Sequence, residues 1–89
     1  MKKGLNENMG FFKKRAQLKH LKNHGVKIEA KLINVKNKQP EVEFWVGDER
    51  FRKLLDIRSD YYDSYVGKLI GVRYDPDFPR HCCAEDEIK

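Results

Sequence analysis

A chain of 89 residues carrying 39% hydrophobic and 37% charged residues can build one modest core under a heavily charged surface, and leaves no room for a second. No apolar run reaches the length of a membrane-spanning helix, and the basic start Met1-Lys2-Lys3 is not followed by an apolar stretch of signal-peptide length. The net charge of +5 is lopsided: residues 1–38 hold eleven Lys and Arg against Glu7 and Glu29 (+9), and residues 39–89 hold eight against twelve acids (−4). An N-terminal excess of this kind is either an electrostatic footprint for nucleic acid, anionic lipid or an acidic protein, or the solvated face of a helix.

Residues 1–8, rich in Lys and Asn, read as a flexible lead to a single domain over 9–89. The first element is a helix over 9–24. Phe11, Leu18 and Leu21 share one side at a 3.6-residue period, Phe12 and Ala16 widen it, and Lys13, Lys14, Lys19 and Lys22 surround it. Asn23-His24-Gly25 ends it, with Gly25 expected in the left-handed C-terminal position. From Val26 the period becomes two, and Val26, Ile28, Ala30 and Leu32 alternate with Lys27, Glu29 and Lys31 as in a half-buried strand. Lys36 to Pro40 reads as a loop, followed by a second strand in which Val42, Phe44 and Val46 face one way.

Gly47-Asp48 has the chemistry of a two-residue hairpin turn. That turn sets Phe44 opposite Phe51, Trp45 opposite Arg50 and Glu43 opposite Arg52: an apolar pair, a cation–π pair and an ion pair. The third strand fades near Leu54-Leu55. Residues 56–66 form a loop or short helical turn, and Lys68 to Tyr74 returns to strand, with Ile70, Val72 and Tyr74 on one side. Asp75-Pro76-Asp77 is a turn. A short last strand covers His81 to Ala84, and 85–89 reads as a flexible tail. The fold expected is mainly β with one N-terminal helix: a small antiparallel curled sheet or partly open barrel, SH3-like or OB-like, of four or five strands over 26–84.

Catalytic chemistry is sparse. Ser59 and Ser64 are the only serines, threonine is absent, and no nucleophile elbow, P-loop or dinucleotide fingerprint occurs. Asp60, Asp63, Asp75 and Asp77 suit turns better than an acid–base pair. His20 and His24, four apart, have no third metal ligand in view. Cys82 and Cys83 are adjacent, a poor geometry for a disulfide with each other, which points to reduced thiols in a cytoplasmic protein. Two groups suit binding: Lys13, Lys14, Arg15, Lys19 and Lys22 on the helix, fit to lie along phosphates, and Trp45 with Tyr61, Tyr62 and Tyr65, an aromatic platform if they share an exposed face with Arg50 or Arg73. The alternative is that the tyrosines close the barrel and Trp45 stacks on its neighbour.

The pattern Gly25-Val26-Lys27-Ile28-Glu29-Ala30-Lys31-Leu32, then Val42-Glu43-Phe44, then Tyr65-Val66-Gly67-Lys68-Leu69-Ile70-Gly71-Val72-Arg73-Tyr74-Asp75-Pro76-Asp77-Phe78-Pro79, resembles the bacterial family called domain of unknown function 3592. The resemblance implies a small β domain, often attached to membrane-spanning helices, with no established activity and no catalytic residues to carry over. Tyr65 to Asp77 also resembles the C-terminal β-barrel of Mu-type transposases, which implies DNA contact without catalysis.

These readings converge on a non-enzymatic interaction module, without cofactor or metal, that binds a protein partner through Lys13, Lys14, Arg15, Lys19, Lys22, Trp45, Arg50 and Arg73. Nucleic acid bound by the basic helix is the alternative. An enzyme would need a cleft joining His81, Cys82 or Cys83 to an acidic partner. The assembly expected is a monomer, or a homodimer through an exposed strand edge near His81 to Ala84.

Overall fold

The computed structural model describes residues 14–88. One helix, α1 (14–24), precedes five antiparallel strands, β1 (Val26–Lys36), β2 (Gln39–Val46), β3 (Glu49–Leu54), β4 (Leu69–Tyr74) and β5 (Cys82–Ala84). They form one sheet in the order β3-β2-β1-β4-β5, curled into a half-barrel. The expected helix start near Met9, with Phe11, Phe12 and Lys13, lies outside the described residues.

Alternation decides which face of the sheet is filled. Ala30 and Leu32 of β1, Val42 and Phe44 of β2, Phe51 of β3, Val72 of β4 and Ala84 of β5 are buried on the concave side. Phe44 lies at its centre, stacked on Phe51 at 5.7 Å and on Tyr74 at 5.6 Å. The β2–β3 hairpin has the register expected from Gly47-Asp48, with Phe44 opposite Phe51, Trp45 opposite Arg50 and Glu43 opposite Arg52. Gly47 alone takes a positive φ there, at 62°, the pattern of a turn with glycine at its first central position.

The segment from Lys36 to Pro40 is not a loop. Lys36 pairs with Gln39 across a two-residue turn in which Asn37 and Lys38 have φ of 50° and 67°, and Pro40 is buried inside β2. Proline is tolerated because Lys36–Gln39 is the bonded pair of the hairpin, so the next pair, Val35–Pro40, asks for no N–H toward β1. Register slips between Leu32 and Asn34, where Ile33 is the extra residue of a bulge. The bulge turns both Leu32 and Val35 toward the core, which strict alternation forbids.

Between β3 and β4 the chain closes the half-barrel. Leu55 donates its N–H to the Pro40 carbonyl, and Ser59 caps a 3-10 helix over Asp60–Tyr65 by accepting from the N–H of Tyr61. Tyr62, 2% exposed, is the largest fully buried side chain. The sheet face with its tyrosine lid therefore makes the main core.

A second core holds α1. Leu21, with Leu18 beside it, packs on Cys83 and Ile88, which makes the Leu18–Leu21 side of the helix its buried side, as the period requires; Ala16 is exposed. Gly25 is needed, but not for a left-handed conformation, since its φ is not among the positive ones. Its N–H closes the last helical turn on the Leu21 carbonyl, and a Cβ there would stand 2.4 Å from that oxygen. Residues 85–88, expected as a tail, instead make a 3-10 turn over Glu85–Glu87 that seats Ile88 under α1. The helix thus crosses from the end of β3, where Lys14 meets Asp56, to β5, where Leu21 meets Cys83, and straps the seam between the two edges of the sheet.

Candidate functional site

Beneath the strap lies a cleft of about 630 Å³ lined by Lys14, His20, Lys53, Asp75, Arg80 and His81, with Cys82, Cys83, Asp56 and Glu87 deeper or beside them. It brings His81, Cys82 and Cys83 together with an acid, Asp75. The chemistry of that group is muted. Burial pushes the Cys82 thiol up to about 11, with Lys53 opposing, and the Cys83 thiol up to about 12, so both stay protonated at neutral pH and are poor nucleophiles. Among the described residues no hydrogen bond joins either thiol to His20 or His81, and no group of three His, Cys, Asp or Glu converges to hold a metal ion.

Asp75 is committed elsewhere. Only 7% exposed, it accepts the N–H of Asp77 at 2.9 Å within its own turn, the local role expected of it, and faces His20 of α1 at 3.2 Å. Those two contacts, the backbone N–H first, hold its carboxyl below the ordinary 3.8. A carboxyl lowered by folding contributes stability above the ordinary value and loses it as pH falls through the folded one. Asp75→Asn keeps the acceptor for Asp77 and removes the titration. Its urea midpoint is expected to fall less than that of the parent between roughly pH 5 and pH 2; parallel curves for the two proteins would contradict the assignment. Glu87 has the opposite sign, because burial raises its carboxyl above 4.5 despite the Ala84 N–H and Lys14. Its contribution is present below the ordinary value and is lost as pH rises.

The residues singled out from sequence are not brought into one surface. Lys13 lies outside the described residues. Lys14 is a clasp: its ammonium sits 2.8 Å from the Asp56 carboxylate, 2.7 Å from the Asp56 carbonyl and 3.6 Å from Glu87, and these partners outweigh burial and raise its pKa. Arg73 is a second clasp, with Nε on Glu85 and Nη1 donating to the Lys22 carbonyl at 2.8 Å. Arg15, Lys19 and Lys22 stand exposed on α1. Trp45 is 60% exposed on the β2–β3 hairpin. The cation–π contact with Arg50 does not form, because the Arg50 guanidinium turns to Glu43 at 3.7 Å, beside the Arg52–Glu43 pair at 3.4 Å.

The aromatic platform is also divided. Tyr62 is buried as the lid, with burial first and then Asp86 and Glu87 pushing its hydroxyl up to about 12. Tyr61 stacks on Tyr65 at 4.5 Å, and Lys68 lies over the Tyr65 ring at 5.4 Å. The three tyrosines line a separate cavity of about 340 Å³ with Leu69 and Gly71 of β4, while Trp45 stands beyond β1 on the other half of the sheet. Sequence reasoning missed Lys53, Arg80, Glu85 and Glu87. Their spacing carries no signal, since their partners come from contacts made only in the folded sheet.

The fold and these surfaces define a small half-barrel domain with a helical strap over its seam. No family model matches the chain, and neither a curated protein nor a solved structure does. Among the described residues no helix is long and apolar enough to cross a membrane.

Proposed function

We propose that this domain is a non-catalytic interaction module whose partner is a protein. The observation that carries this reading is the interruption of the basic surface by acids. Asp56 and Glu87 meet Lys14, Glu43 meets both Arg50 and Arg52, Glu85 meets Arg73, Glu41 meets Lys36 and Asp60 meets Lys38. A nucleic-acid backbone would have to displace these carboxylates one by one, whereas phosphate-led binding draws on cations that are free to replace counterions. Protonated, buried thiols support the absence of nucleophilic chemistry in the cleft. The likeness to the family called domain of unknown function 3592 belongs to the same proposal, and reduced Cys82 and Cys83 suit a cytoplasmic setting.

The second reading rests on Lys19 and Lys22, which among the described residues have no carboxylate partner. A salt series with short duplex and single-stranded DNA and RNA separates the two. The expected result is binding no tighter than the non-specific range, about 10⁻⁴ to 10⁻⁶ M. Tight binding that weakens steeply with salt and disappears in a folded Lys19→Glu with Lys22→Glu double variant would replace the protein partner with nucleic acid.

A further inference from the structure

We propose that the open edge of β3 takes up an extended, acidic segment of a protein partner, which joins the sheet as a sixth strand. This deepens the protein-partner reading and rests on it. Among the described residues β3 is an end strand of the sheet and pairs only with β2. In the hairpin Val46–Glu49 is the bonded pair, and bonded pairs recur at every second position, at Phe44–Phe51 and Val42–Lys53. The backbone N–H and C=O groups of Arg50, Arg52 and Leu54 therefore point away from β2. Among the described residues no turn, loop or strand takes them. They are three donors and three acceptors, spaced as a strand requires.

The side chains along that edge choose the occupant. Arg50, Arg52 and half-open Leu54 stand on the convex face. Both arginines lean on a single carboxylate oxygen, Oε2 of Glu43, so one positive charge is left over. Lys53 points the other way, half-buried at the mouth of the strapped cleft, and among the described residues it has no carboxylate partner. A second copy of this chain is disfavoured, because a two-fold pairing centred on Arg52 sets arginine against arginine. The phosphate backbone of a nucleic acid offers acceptors to the arginines but no row of donors at strand spacing for the carbonyls of the edge. An acidic strand supplies both, with backbone bonds giving affinity and carboxylates at alternate positions facing Arg50 and Arg52. The opposite edge is less available: β5 is three residues long, and the Ala84 N–H is held by the Glu87 carboxylate at 2.9 Å.

The probe is a capped alternating Glu-Val peptide of about six residues, the usual length of a strand, with its Lys-Val counterpart as control, added to the full chain and followed by amide NMR. The Glu-Val peptide is expected to bind about tenfold or more tighter than the Lys-Val peptide. It should slow solvent exchange at the Arg50, Arg52 and Leu54 amides. Arg50→Glu with Arg52→Glu is expected to reverse the preference; because it sets like charges against Glu43, a slightly lowered melting temperature with a native amide spectrum away from the hairpin shows that the fold is intact. Shifts that map to α1, unchanged amides at about 1 mM peptide, or equal binding of the two peptides would each overturn the edge as the docking site. Those results leave the protein-partner reading standing, since that reading falls to salt-sensitive nucleic-acid binding and not to silence at β3.

Discussion

Tyr62→Ala is expected to remove about 3–5 kcal/mol of stability, the usual loss when a large buried aromatic is truncated, out of a total of order 5–15 kcal/mol for a domain. The side chain is 2% exposed and belongs to a 3-10 turn, so nothing regular in the local backbone can move in to fill the space it leaves. Its neighbours, among them Leu32, Val42 and Val72, are fixed in sheet register. A cavity therefore persists and adds to the lost transfer free energy. Tyr61→Ala provides the contrast, because Tyr61 is half exposed and loses chiefly its stack on Tyr65, worth about 0.5–1.5 kcal/mol. Urea unfolding of the two variants measures the difference. Equal losses would mean that Tyr62 is not the lid of the core.

Leu21→Asp has the next largest effect and a different character. A carboxylate at the site of Leu21, 3% exposed against Cys83 and Ile88, would be buried near Glu87, whose own carboxyl is already raised by burial. Burying a charge without a partner costs more than the contact is worth, so α1 is expected to lift off the seam instead. The loss is then limited to the helix docking energy, about 2–4 kcal/mol for one fully and one partly buried leucine. Sheet amides should keep their protection while the Cys83 thiol becomes reactive toward a disulfide reagent. A thiol as slow to react as in the parent protein would show that the strap stays in place.

How much of this was legible in the chain depended on the range of the interaction concerned. The β2–β3 register could be read because a two-residue turn at Gly47-Asp48 leaves no freedom in which residue opposes which. The bulge at Ile33 could not, since Leu32 and Val35 are apolar on what simple alternation assigns to opposite faces. Pro40 read as a loop residue because the missing N–H matters only on the side where a neighbour asks for it. Ile88 sits in an acidic run that looks solvated, and only Leu21, far away in sequence, makes it core. The same holds for the candidate site: Lys14 and Arg73 looked like ligands for a partner, and the acids that occupy them come from the 3-10 turn after β5 and the end of β3.

The strap also has a consequence for the order in which the fold can be completed. α1 precedes the whole sheet in the chain, yet its seat is Cys83 and Ile88 and its clasps include Glu87. Most of a helix's stability in a protein comes from the packing of its apolar face, here Leu18 and Leu21. The helix emerges early from synthesis and has to wait for residues 82–88 before it has anything to rest on. Until then the seam stays open, and the side chains of the cleft are at their most accessible to another chain.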